Sequence, residues 1–170
     1  MQIYLLKKSS KEVVGKFLQI FYNKTFLNQY HLHRIFRQAS ENLSKILTRQ
    51  KEGTLGSTLV IALGTNSIKD PEESLEEIIK TLPKNHKLIL VTCFDDRFKH
   101  PHKTTKVMKE LGKKYDFITI MDWEKEAMAH PEYYKGTDGV HFYREKEAND
   151  AYLKLLQKAI GESIKNKGKK

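Results

Sequence analysis

The sequence predicts a three-layer α/β fold in which helices cover both faces of a parallel sheet of about five strands. From Leu59 onward, short apolar runs alternate with longer amphipathic ones, the pattern of strands buried on both faces and joined by helices. The 170 residues, 39% hydrophobic and 31% charged, suit one globular domain with a sizeable core. No repeat, low-complexity linker or Pro/Gly-rich boundary divides them, so the expectation is a single domain over residues 1–164 with a frayed basic tail at 165–170.

Gln2 to Leu6 reads as a first strand, and Val13 to Tyr22 as a helix with Val14, Phe17, Leu18 and Phe21 on one side. Ala39 to Gln50 reads as a second helix, and Gly53 to Ser57 as a turn. Thr58 to Leu63 then gives a buried strand that runs into Gly64-Thr65-Asn66. A helix from Pro71 to Thr81 is entered through Asp70-Pro71 and buries Leu75, Ile78 and Ile79. Leu88 to Thr92 makes the next strand, Thr104 to Tyr115 a helix, and Phe117 to Met121 another strand. A long closing helix from Glu145 to Asn166 turns Ala148, Ala151, Tyr152, Leu155, Leu156 and Ala159 inward.

Several function classes are disfavoured at this level. Leu59–Leu63 and Leu88–Val91 are far shorter than the roughly 20 apolar residues of a membrane helix, and residues 1–10 lack the form of a signal peptide. The net charge of +10 invites a polyanion, but the lysines are spread along the chain, so a solvated surface is favoured over nucleic acid. Cys93, the sole cysteine, ends an apolar run and reads as a buried residue rather than a reactive thiol. His31 with His33, and His100 with His102, have no carboxylate or thiol cluster beside them, so they read as surface histidines and no metal is expected.

Two short motifs carry the chemistry. Glycine, threonine and asparagine directly after a buried strand fall at the carboxyl edge of the sheet, where open α/β folds bind ligands. Asn66 could there offer an NH2 group to an oxyanion, or simply cap the loop. In Asp138-Gly139-Val140-His141, a carboxylate three residues before an imidazole can hold one ring nitrogen and leave the other to act as base. Asp138 as a turn residue and His141 as a helix-start residue are the bland alternative.

With these motifs in hand, the chain resembles the SGNH hydrolases, in particular the extracellular C-terminal domains of bacterial membrane acyltransferases that O-acetylate peptidoglycan. The likeness runs from about Arg37 to Ile160. It rests on the segment from Leu55 to Asn66, the strand and loop ending at Arg97, Met121-Asp122-Trp123, His130-Pro131-Glu132-Tyr133 and Asp138–His141. It implies a flavodoxin-like fold and a Ser-His-Asp triad in which Asp138 orients His141 and Asn66 serves the oxyanion hole. Gly64, Arg97 and Trp123 would contact substrate, with Trp123 and His130-Pro131 on the cleft wall; a structural salt bridge is the other role open to Arg97. The nucleophile carried over is Ser9, with Ser10 an equally available hydroxyl.

Two blocks depart from the family pattern. Where the family has Gly-Asp-Ser this chain has Lys7-Lys8-Ser9, and where it has a glycine that aims an N–H at the oxyanion this chain has Phe36. Two readings follow. One is a serine esterase or O-acyltransferase acting on acylated cell-wall carbohydrate, with no cofactor, an acetyl donor or acylated glycan as partner and a membrane acyltransferase domain as neighbour. The other is an impaired or truncated remnant that binds glycan or a partner. The first places the domain outside the bacterial membrane as part of a longer protein; a chain complete as given would stay in the cytoplasm.

Overall fold

The computed structural model describes residues 3–6, 52, 57–65, 70–142 and 145–170. Its elements are β1 (Ile3–Leu6), β2 (Thr58–Ile61), α1 (Pro71–Thr81), β3 (Lys87–Val91), α2 (Lys103–Lys114), β4 (Ile118–Met121), α3 (Trp123–Ala129), a 3-10 turn (Pro131–Tyr134) and α4 (Lys146–Lys165). The helices expected over Val13–Tyr22 and Ala39–Gln50 lie outside the described residues.

β2, β3 and β4 are parallel neighbours, as expected of strands joined by helical crossovers. Strand periodicity sorts their side chains onto two faces. Leu59, Ile61, Leu88, Leu90 and Ile118 pack with Leu75, Ile78 and Ile79 of α1 and Met108 and Leu111 of α2. Val60, Ile89, Val91 and Met121 face the other way, onto Trp123 and Ala127 of α3 and Ala148, Tyr152, Leu156, Ala159 and Ile160 of α4. These two cores make the three layers. The inward face of α4 is the one the sequence predicts, with Ala151 and Leu155 partly buried at its margin.

The sheet differs from expectation at its first strand. Among the described residues it has four strands in the order β1-β2-β3-β4, and β1 runs antiparallel to β2, pairing Ile3 with Ile61 and Leu6 with Thr58. Local sequence does not encode strand direction, and the long stretch between β1 and β2 permits either return. Between β4 and α4, where the sequence suggests only a returning loop, Asp122 caps α3 by accepting from the Lys125 N–H at 3.3 Å, and Pro131 starts the 3-10 turn.

The basic tail is docked rather than frayed. Lys169 donates its N–H to His86 O at 2.8 Å and accepts from Asn85 N at 2.7 Å. Its ammonium donates to Lys80 O and Leu82 O at 2.8 and 2.6 Å, satisfying carbonyls at the end of α1. Asn166 reaches Thr119 Oγ1 at 2.9 Å, and Lys87 Nζ reaches Ile164 O at 2.6 Å. A run of lysines reads as solvated because its charge is counted and its backbone is not; here the backbone amides and long stems supply the docking.

Candidate active site

Three loops converge at the carboxyl edge of the parallel strands. The first is the end of β2. Gly64 is buried with φ +120°, and a Cβ there would lie 2.5 Å from Thr104 Cγ2 and 3.1 Å from Cys93 Sγ, so a close approach as well as a turn selects glycine. Gly64 O accepts from Thr104 Oγ1 at 3.2 Å, while Thr105 Oγ1 accepts from Cys93 N at 3.0 Å and donates to Cys93 O at 3.1 Å. The start of α2 thereby stitches the ends of β2 and β3 together. Cys93 donates its thiol to Leu63 O, and burial pushes that thiol up to about 12, which matches an inert buried residue.

The second loop follows β3. Asp95 has no exposed side-chain surface, and both its oxygens are taken by Arg97, Oδ1 from Nε at 2.8 Å and Oδ2 from a terminal nitrogen at 2.7 Å. The Arg97 backbone N–H adds a third bond to Oδ1 at 3.1 Å. Burial alone would raise the Asp95 carboxyl, but the Arg97 guanidinium and N–H outweigh it and hold the group below the ordinary carboxylate range. Arg97 therefore serves a structural pair on one side, with its other side in solvent.

The third loop carries the predicted dyad. His141 Nδ1 donates to Asp138 Oδ2 at 2.6 Å, while the N–H groups of His141 and Val140 donate to Oδ1 at 2.8 and 3.0 Å. Burial works against the charged Asp138, yet these three donors prevail and keep its carboxyl below the usual range. A carboxylate accepts only, so Nδ1 carries the proton and Nε2 is left as the basic nitrogen. The loop is tied to the second one by Asp96 N donating to Gly139 O at 2.9 Å. Gly139 has φ +81°, and a Cβ there would lie 3.3 Å from Arg97 Cγ, so Arg97 also forms the bed on which the dyad loop rests.

Trp123 is a correction. Expected on the cleft wall, it is buried in an aromatic cluster, stacked at 6.1 Å with Tyr133, tilted at 4.6 Å against Phe142 and edge-on at 5.0 Å to Tyr152. Its indole N–H donates to Tyr134 Oη at 3.0 Å. Indole is large and has one polar atom, so the core satisfies it fully, and Trp123 acts by anchoring Phe142 beside His141. His130 is partly exposed at the end of α3, bonded to Glu132 at 2.8 Å and stacked on Tyr133.

His100 and His102 are likewise not simple surface residues. Glu124 is buried and accepts from the His102 backbone N–H at 2.6 Å, with His100 Nδ1 at 3.1 Å. His102 Nδ1 caps α2 by accepting from Thr104 N at 3.2 Å. Ser9, Ser10, Asn66, His31, His33 and Phe36 lie outside the described residues. The sequence reading missed Asp95, whose available signal was an acid two residues before an arginine just past a strand.

The clamp gives a testable consequence. Asp95→Asn is expected to lower stability by about 1–3 kcal/mol at neutral pH through lost charge-assisted bonds. Because the folded carboxyl is depressed, its stabilisation is complete above the ordinary value of about 3.9 and fades as pH falls through the lower folded one. Urea unfolding at pH 7 should therefore separate wild type from variant, and unfolding at pH 3 should bring the two closer; coincident curves at pH 7 would refute the clamp.

No protein-family model matches the chain. It is similar to the C-terminal catalytic domain of Streptococcus pneumoniae peptidoglycan O-acetyltransferase A, solved with a methylsulfonyl adduct, at 31% identity and a TM-score of 0.62, covering 76% of this chain and 78% of that one. It is also 25% identical over 108 residues, 64% of its length, to YrhL of Bacillus subtilis (strain 168), by its name a candidate peptidoglycan O-acetyltransferase. The chain spans 16% of the length of that curated relative.

Proposed function

Because the chain belongs to the family of SGNH-type peptidoglycan O-acetyltransferase catalytic domains, we propose that it cleaves or transfers O-acyl esters on cell-wall carbohydrate. The observation that carries this is the 2.6 Å bond from His141 Nδ1 to Asp138, held at the carboxyl edge of the sheet. In this mechanism Ser9 Oγ attacks the acyl carbon and Nε2 of His141 takes the hydroxyl proton. Asp138 holds the tautomer and balances the imidazolium, and Asn66 donates to the oxyanion. Collapse expels the donor's alcohol, which recovers the proton from His141. A sugar hydroxyl or water then takes the acyl group by the reverse sequence. Neither a metal nor an organic cofactor enters these steps. Residence outside the membrane, as one domain of a longer acyltransferase, is part of the same reading; no described helix is long and apolar enough to cross a bilayer.

One observation favours the second reading, a remnant that binds glycan or a partner without turnover. The direction of β1 sets Leu6 beside Thr58, at the end of β2 opposite the one that leads to Gly64.

Hydrolysis of a chromogenic acetyl ester by the purified chain, beside Ser9→Ala and Ser10→Ala, separates the two. Turnover lost in Ser9→Ala alone is the expected result. A folded chain with no turnover in any form would establish the remnant.

A further inference from the structure

A pocket of about 360 Å³ opens between the loop after β3 and the start of α2, lined by Lys99, His100, Pro101, Lys103 and Lys106. No carboxylate lines it. Among the described residues the ammonium groups of Lys99, Lys103 and Lys106 have no hydrogen-bond or ion-pair partner, whereas Lys109, Lys113 and Lys114 further along the same helix pair with Asp122, Glu110 and Glu76. Glu124, which bonds to the pocket-lining His100, is buried and also accepts from the His102 N–H. His100 also presents a ring nitrogen, Nε2, that is buried without a partner. With three ammonium groups against one buried carboxylate, the field in the pocket is net positive.

The chemistry of the wall narrows the ligand. A compact phosphate is usually held by convergent backbone N–H groups or an arginine fork. Here the α2 terminus is already capped, with Thr104 N bonded to His102 Nδ1 and His102 N bonded to Glu124, and no arginine lines the pocket. What remains is three separate point charges on flexible stems, which suit anionic groups distributed along an extended chain. Lys99, at one end of the pocket, follows two residues after the Arg97 on which Gly139 rests.

We propose that Lys99, Lys103 and Lys106 form an anion subsite that binds the carboxylates of an acidic glycan. The choice of glycan as ligand rests on the functional reading above, while the subsite's existence rests on the pocket alone.

Binding of a soluble glycan of alternating N-acetylglucosamine and N-acetylmuramic acid, its lactyl carboxylates free, tests this without any need for turnover. The controls are a neutral chito-oligosaccharide of equal length and inorganic phosphate as competitor. The wild-type chain is expected to prefer the acidic glycan at least tenfold at low salt, and Lys99→Gln/Lys103→Gln/Lys106→Gln to lose that preference while hydrolysing a small acyl ester as wild type does. Glutamine keeps helix propensity in α2, and circular dichroism verifies folding. Equal affinity of wild type and triple variant, equal affinity for the neutral glycan, or displacement by low-millimolar phosphate would each overturn the proposal. A chain inactive towards every ester but selective for the acidic glycan would remove the catalytic reading and leave the subsite standing.

Discussion

His141→Ala is expected to lower kcat for ester hydrolysis by about 10⁴- to 10⁶-fold, the scale seen when a triad base is removed, with KM and the unfolding midpoint little changed. Asp138→Asn should cost about 10⁴-fold, because an amide presents the wrong partner to Nδ1 and frees the ring to adopt the other tautomer. The three bonds that Asp138 accepts also shape the loop, so this variant, unlike the first, should show a modest loss of stability. Steady-state kinetics with urea unfolding separates the two. His141→Ala turning over at more than a tenth of the wild-type rate would remove the mechanism, whatever the fate of Ser9.

The second large effect is on the fold. Gly64→Ala combines a φ of +120° with a Cβ 2.5 Å from Thr104 Cγ2, and strain plus overpacking should cost about 2–4 kcal/mol. Gly136→Ala is the matched control: its φ is +75° but nothing lies within 4 Å, so only the backbone penalty of about 1–2 kcal/mol applies. The excess at Gly64 measures how tightly α2 is clipped to the end of β2. If both variants unfold at the same urea concentration, the close approach carries no energy.

The layered core was legible because it is written in periodicity. Leu59 and Ile61 against Val60, and Leu88 and Leu90 against Ile89 and Val91, assign each side chain to a face without knowledge of the rest of the chain. The dyad was legible for a related reason: its partners are three residues apart, so a turn brings them together locally. What remained hidden depends on distant partners. The direction of β1 is set by a pairing across more than fifty residues, and the burial of Trp123 needs Tyr133, Tyr134, Phe142 and Tyr152 to assemble around it. Asp95 was overlooked because a charged residue in a loop ordinarily signals solvent; only the fork of Arg97 makes a fully buried carboxylate tolerable there.

The docked C-terminal segment has a consequence for how the molecule opens. Asn85, His86 and Lys169 exchange backbone bonds in both directions, and the Lys169 ammonium closes the last turn of α1. The tail, the 82–87 loop and the end of α1 are thus tied together, so the Asn85 and Lys169 amides are expected to open in one step. In native-state hydrogen exchange, those two amides would then share one slow rate, and the loop that holds Asp138 and His141 would breathe independently of them.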